Sequence, residues 1–285
     1  MTTPIIWLSD MLRAVGTTKA PANVNATQKD ALREFALSMS ESIQLQTARR
    51  FDPYYETRFY APYSTEDGGD IAPGGYLMLD EDLWQVSQVI NNHTTVIDPA
   101  DYALFPLESS AQIKDMIRLK NALYWTGNNT VDNFDAIQIT GLWGGKGGSF
   151  KVKTTLTADV TDSAGTIAVA SNTGLEAGQL LKIGSELVLI LADPTTNTIS
   201  IERAYNGSEA VSHANGDPVY LFRAGDLVRR LCGRIIKWQV ALDDNPLIAL
   251  VTIGDTQEPI DLSNAPKDVS DMMEILTRPM RLRGV

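Results

Sequence analysis

The sequence predicts an α+β protein. Helices lie toward both ends of the chain, an antiparallel β meander lies between them, and an all-β domain is inserted in the second half. Three observations carry this. Apolar residues recur at helical spacing up to about Arg50 and switch to a period of two from Phe51. No helical period occurs between Lys151 and Phe222. Helical spacing then returns at Asp226. The expected divisions are residues 1–150, 151–222 and 223–285.

The elements follow in chain order. Thr3, Pro4 and the row Ile5, Leu8, Leu12 and Val15 predict a short first helix that Gly16 stops. A second helix is expected from Thr27 to Arg50, capped by Thr27, with Leu32, Phe35, Met39 and Ile43 on one face. Strands are expected at Tyr54–Tyr63, Gly74–Leu79, Leu83–Ile90, Tyr102–Leu107, Ile113–Leu119 and Ala136–Trp143. Asp80-Glu81-Asp82 reads as a solvated bend, and the glycines of Gly144 to Ser149 as a linker. The inserted domain should hold strands at Thr166–Val169, Gln179–Ile183, Leu187–Leu191, Thr198–Glu202 and Pro218–Phe222, with a hairpin turn at Gly184-Ser185. An amphipathic helix follows from Asp226 to Leu242, then an apolar arm at Leu247–Ile253 and a terminal helix at Pro266–Leu276.

Composition narrows the function. The 285 residues are 44% hydrophobic and 21% charged, ordinary for a folded chain. Cys232 is the single cysteine, so a disulfide within the chain and a cysteine-built zinc site are excluded. No run approaches the about 20 apolar residues of a membrane span. Met1 to Asp10 lacks a basic stretch and a cleavage pattern, so folding in a reducing cytoplasm is expected. The formal net charge is −11, against the basic balance of a nucleic-acid reader. Residues 155–222 hold eight acids and two bases, whereas residues 223–285 hold nine of each.

The chemistry-bearing residues give no catalytic motif. His93 and His213 are the two histidines, both in polar turns, and read as surface residues. Cys232 falls in the apolar row of a helix and reads as a small buried hydrophobe. Gly141 to Gly148 has neither the spacing nor the following helix of a phosphate loop. Tyr54, Tyr55, Phe59, Tyr60 and Tyr63 alternate with Arg58, which could stack on single-stranded nucleic acid. The acidic total favours a strand with one face in the core and one in an interface. No catalytic residue, metal ligand or cofactor is expected.

The order of the pieces carries more than any one of them. A helix leads into Ala48-Arg49-Arg50-Phe51-Asp52, and the Tyr55–Tyr63 strand precedes Leu77-Met78-Leu79-Asp80. Ile137 to Gly144 ends in a Thr-Gly-x-Trp-Gly pattern, and Ala265-Pro266-Lys267-Asp268-Val269 opens a closing segment with arginines. This arrangement resembles the head–tail connector (adaptor) proteins of tailed bacteriophages, over about residues 20–150 and 223–285. The segment 151–222 departs from that family and looks like a small β domain of phage virion proteins.

The resemblance implies a helical adaptor core and a non-enzymatic structural protein of the virion neck, assembled in the host bacterial cytoplasm. It implies a ring of copies, usually dodecameric, below the portal protein and above a tail stopper or tail-completion protein. Double-stranded DNA would pass through the channel without sequence-specific binding, and acids along the channel would let it slide. Arg278, Arg281 and Arg283 are candidate contacts to the portal or a neighbour, since guanidinium forks pair with carboxylates. Val228, Leu231, Ile235, Trp238 and Leu242 are the candidate ring-packing row. The competing readings are a tail or baseplate binding module whose acidic β insert recognises a host surface or another virion protein, and a hydrolytic enzyme of the wall-degrading kind, for which His93 and His213 are the residues to replace.

Overall fold

The structure is a computed structural model. It describes Trp7, Met11 and residues 25–62, 70–107, 113–127, 135–145, 147–240 and 262–277. The described residues are mostly β, which corrects the expected helical adaptor core. Among the described residues, two antiparallel sheets of seven and six strands hold the cores, and the helices Ala26–Thr47, Asp226–Val240 and Lys267–Leu276 accompany them. The chain divides into two compact units, one drawn from Met1–Asp52 with Gly147–Arg278, the other centred on Pro53–Lys146.

In the Pro53–Lys146 unit the strands are β1 (Pro53–Tyr60), β2 (Ile71–Ala72), β3 (Tyr76–Asn91), β4 (Thr95–Val96), β5 (Tyr102–Phe105), β6 (Lys114–Leu119) and β7 (Ile137–Gly144). They run in the order β1-β7-β3-β6-β5, and β2 and β4 pair with β3. Leu77, Leu83, Ile117, Ile137, Ile139 and Trp143 are fully buried between them. The bend expected at Asp80-Glu81-Asp82 is instead the middle of β3, one strand of 16 residues. Its first half pairs with β6 from Tyr76↔Arg118 to Met78↔Met116, and its second half pairs with β7 from Gln85↔Leu142 to Ile90↔Gln138. The acids fall where the register shifts, between Met78 and Leu83. The irregularity leaves Asp80 exposed, where it meets Arg58 and Tyr60, while Glu81 is buried. Gly141 fixes how closely β7 meets β3, since a Cβ there would lie 2.3 Å from the Gln85 carbonyl oxygen.

The other unit holds β8 (Ser149–Thr155), β9 (Thr166–Ala168), β10 (Leu180–Ile183), β11 (Glu186–Ile190), β12 (Thr198–Glu202) and β13 (Pro218–Arg223). Their order is β8-β13-β10-β11-β12-β9. Ile183 pairs with Glu186, so Gly184-Ser185 is a two-residue hairpin turn, as the sequence predicts. Strand β8 was hidden at the edge of the glycine run, where linker composition masked it. Leu181, Ile183, Val188, Ile199 and Val219 form the core of this sheet.

The same unit contains α1 (Ala26–Thr47), α2 (Asp226–Val240) and α3 (Lys267–Leu276), and α3 packs against both α1 and α2. Asn25, not Thr27, caps α1. Its side chain accepts from the Gln28 N–H while the Gln28 side chain accepts from the Asn25 N–H. Helix α1 stops at Ala48, which takes a left-handed conformation at φ 50°. Just beyond, Asp52 is buried and accepts from Arg50 Nη2 at 2.8 Å and Asn206 Nδ2 at 2.9 Å. This fastens the Arg50-Phe51-Asp52 segment to the turn after β12. Lys29 and Arg33 of α1 reach Asp193, at 3.3 and 2.5 Å. Apart from Met11 and Trp7, the first expected helix lies outside the described residues, as does the arm Leu247–Ile253.

Candidate interaction surface

The sequence-selected residues fall into three groups. Arg278, Arg281, Arg283 and Leu242 lie outside the described residues. Val228, Leu231 and Ile235 are buried by this chain, and Trp238 is half-buried. Cys232 is fully buried, and burial pushes its thiol up to about 12. Of the histidines, His213 is not a surface residue. It is buried and its Nε2 lies 2.8 Å from Glu186 Oε2.

The aromatic stretch of β1 divides between its two faces. Tyr54 and Tyr60 enter the core, while Phe59 points outward and is exposed. Arg58 shares the inner face. Its guanidinium meets Asp80, Glu56 and the Tyr54 hydroxyl, and lies 5.3 Å from the Trp143 ring centroid. Burial pulls this guanidinium down, and Asp80, with Tyr54, Tyr60 and Glu56, more than reverses the effect. Tyr60 donates to Asp80, and burial together with that carboxylate raises its phenol above the usual range. These groups neutralise one another, so the cation of this aromatic stretch is already paired.

The six-stranded sheet contains a second closed network. Glu186 is fully buried and accepts from Arg203 Nε at 2.6 Å, Arg203 Nη2 at 2.7 Å and the Ala204 N–H at 3.1 Å, besides its contact with His213. Burial would raise this carboxyl, but the bonds from Arg203, Ala204, His213 and Val211 outweigh it and hold it below its ordinary value. Arg203 also donates to the carbonyls of Thr161 and Val211. The network ties β11, β12 and their connecting loops together. Sequence spacing of 17 and 27 residues gives no local signal of it.

An open surface lies elsewhere, in the seven-stranded unit. A cleft of about 870 Å³ is walled by the end of β6, by β5 and by the segment from Lys120 to Trp125. Leu123 N–H donates to the Lys120 carbonyl at 2.9 Å across Asn121 and Ala122, whose φ angles are 55° and 58°. Two adjacent positive φ values make a type I′-like turn, a geometry that suits asparagine better than alanine. The turn is anchored on both sides. Asn121 Nδ2 donates to Asp101 at 2.6 Å, and Trp125 Nε1 donates to the Gly75 carbonyl at 3.0 Å. Asn91 donates to the Tyr124 carbonyl at 2.9 Å and accepts from the Thr126 N–H at 3.0 Å.

Held this way, Trp125 is buried while Tyr124 stands 75% exposed and Leu123 40% exposed. Beside them Arg118 lies 5.2 Å over the Tyr76 ring, and Tyr76 packs edge-on against Phe105 at 5.1 Å. Arg118 and Lys120 make no ion pair with a described residue, and no carboxylate is among the described residues that wall the cleft. A rigid aromatic, an exposed leucine and two uncompensated cations form a surface suited to binding an acidic, partly apolar protein segment. Sequence reading missed it, because Leu123-Tyr124-Trp125 lies in a short stretch without periodicity.

The fold and this surface define a two-sheet antiparallel β protein with a cleft lined by cationic and aromatic side chains. No protein-family model and no curated protein matches the sequence.

Proposed function

We propose that the chain is a structural subunit of a tailed-bacteriophage neck, associating with copies of itself and with adjoining virion proteins to join head to tail. The resemblance in the order of Arg49-Arg50-Phe51-Asp52, the β1 and β3 strands and the Thr-Gly-x-Trp-Gly end of β7 supports this reading. The observation that carries it is the cleft around Tyr124. Copies with a formal charge of −11 repel one another at a distance, so association needs a local patch of opposite sign. Arg118 and Lys120 supply that patch next to exposed apolar surface. The acidic stretch of a neighbouring copy or the portal protein would supply the complement. The acidic total also favours passage of DNA over its retention.

The test is negative-stain microscopy and light scattering of the purified protein, alone and with isolated portals and phage particles. Rings or portal-bound collars are expected. Tyr124→Ala with Lys120→Glu should weaken association about 30-fold or more, the scale of a lost aromatic hot spot. Its melting curve should not move. Purified particles lacking this polypeptide at the collar would overturn the reading.

A further inference from the structure

The six-stranded sheet carries a second, smaller depression. Along β10 and β13, Leu181, Ile183, Val219 and Leu221 turn into the core. Lys182 and Tyr220, directly opposite one another, therefore share the other face. Tyr220 is in turn opposite Val152 of β8, which puts Phe150 on that same face two residues along. The Gly184 turn and Asp217-Pro218 close one end, leaving a hollow of about 320 Å³. The Lys182 ammonium lies 5.8 Å from the Phe150 ring centroid. No carboxylate of a described residue lies within ion-pair distance of it. Asp217 lines the same hollow, with Oδ2 accepting the Ala214 N–H at 2.9 Å.

These groups restrict what can fill the hollow. A purely apolar ligand would strip water from Lys182 and Asp217 without replacing the lost hydrogen bonds. A simple anion would suit Lys182 but face Asp217 and a segment of eight acids to two bases. A flat aromatic could stack on Phe150 but would offer few hydroxyls to the two charged groups. A polyol ring satisfies all of them. Its hydroxyls accept from the ammonium and donate to the carboxylate, and its C–H face lies on the electron-rich faces of Phe150 and Tyr220. We propose that the hollow bounded by Phe150, Lys182, Asp217 and Tyr220 binds one pyranose ring of a saccharide. Burial also lowers the Lys182 ammonium from its ordinary value, in keeping with a cation held short of water and of a counter-ion. The site stands independently of the neck reading, because it does not use the Tyr124 cleft.

The test is saturation-transfer NMR on the full chain with glucose, galactose, mannose, N-acetylglucosamine and their β-1,4-linked dimers. Transfer to the ring protons of at least one sugar is expected. Asp217→Asn and Lys182→Met should each weaken binding about tenfold, the scale of one hydrogen bond to a charged group. Tyr220→Ala should abolish transfer, and circular dichroism melting identifies any variant that fails to fold. Absence of transfer from every sugar overturns the proposal. So does transfer undiminished in folded Asp217→Asn and Lys182→Met, or displacement of the sugar by millimolar inorganic phosphate or acetate, which would make this an anion site. Particle assembly assayed in parallel is unaffected by any of these outcomes, so failure here is distinguishable from failure of the neck reading.

Discussion

Glu186→Gln is the sharpest probe of the buried network. The variant keeps the shape of the side chain and removes its charge, leaving the Arg203 guanidinium 9% exposed without a carboxylate. Two charge-assisted bonds, at 2.6 and 2.7 Å, are degraded, at about 1.5–3 kcal/mol each. Arg203 keeps its donations to the Thr161 and Val211 carbonyls, which places the loss near the lower end, about 3 kcal/mol, the scale of breaking a buried pair. For a unit of this size each kcal/mol lowers Tm by about 2–4 °C, so a fall of about 6–12 °C is expected. Calorimetry and far-UV circular dichroism at neutral pH would measure it. A second variant isolates the cause. Glu186→Leu with Arg203→Met and His213→Leu removes the carboxylate, the guanidinium and the imidazole at once and should recover most of the loss, since no ion is left buried alone. A Glu186→Gln shift below about 2 °C would refute the claim that this carboxylate compensates a buried guanidinium.

How much of this was legible in the sequence depends on how local each signal is. The strands Thr198–Glu202 and Leu180–Ile183 and the Gly184-Ser185 turn were legible, because period-two alternation and turn chemistry act between neighbours. The sequence predicts two strands where β3 is one, because Asp80-Glu81-Asp82 has the composition of a bend while its backbone is held by pairing to distant β6 and β7. Tertiary pairing overrode local propensity there. Strand β8 was missed for a similar reason, lying beside glycines whose composition says linker. The expected helical core came from the resemblance to adaptor proteins, and the two sheets of the described residues overturn it. Helix α1 was found, but its cap was placed two residues late, at Thr27. Asn25 and Gln28 carried the capping-box signal three residues apart. The candidate surfaces were harder. Arg118 and Tyr124 are brought together by β6 and the turn that follows, and Lys182 and Asp217 by the pairing of β10 with β13, which Asp217 immediately precedes. A linear pattern cannot register such meetings. His213 shows the same limit, since its polar neighbours say surface while Glu186 draws the ring inside.

The remaining expectations concern packing, thiol chemistry and pH. Gly141→Ala sets a methyl 2.3 Å from the Gln85 carbonyl oxygen, so β7 and β3 must separate. The urea midpoint should fall by the equivalent of about 1–3 kcal/mol, and an unchanged midpoint would show that the ladder yields freely. Cys232, buried with its thiol near 12, should not react with a thiol reagent in the native protein at pH 8 and should react fully in denaturant. Rapid native labelling would contradict its placement. The acid limb of stability should trace to two carboxylates. Glu186 and Asp193 both sit below their ordinary values. In each, burial pushes upward and is outweighed, for Glu186 chiefly by Arg203, and for Asp193 by the Ala177 N–H, Arg33 and Lys29. A depressed folded value means that the stabilisation is complete above the unfolded pKa, about 4 for these groups, and is lost as pH falls through the folded value. Urea midpoints measured from pH 7 to pH 3 should therefore hold steady to about pH 5 and then decline. Glu186→Gln lacks the fully buried contributor at every pH, so its curve should start lower and decline less. Asp193→Asn, whose partner groups are partly solvated, should change the limb less. If Glu186→Gln loses stability in acid as steeply as the native protein, the titration that drives acid unfolding lies in other carboxylates, and the Glu186–Arg203 pair is not its source.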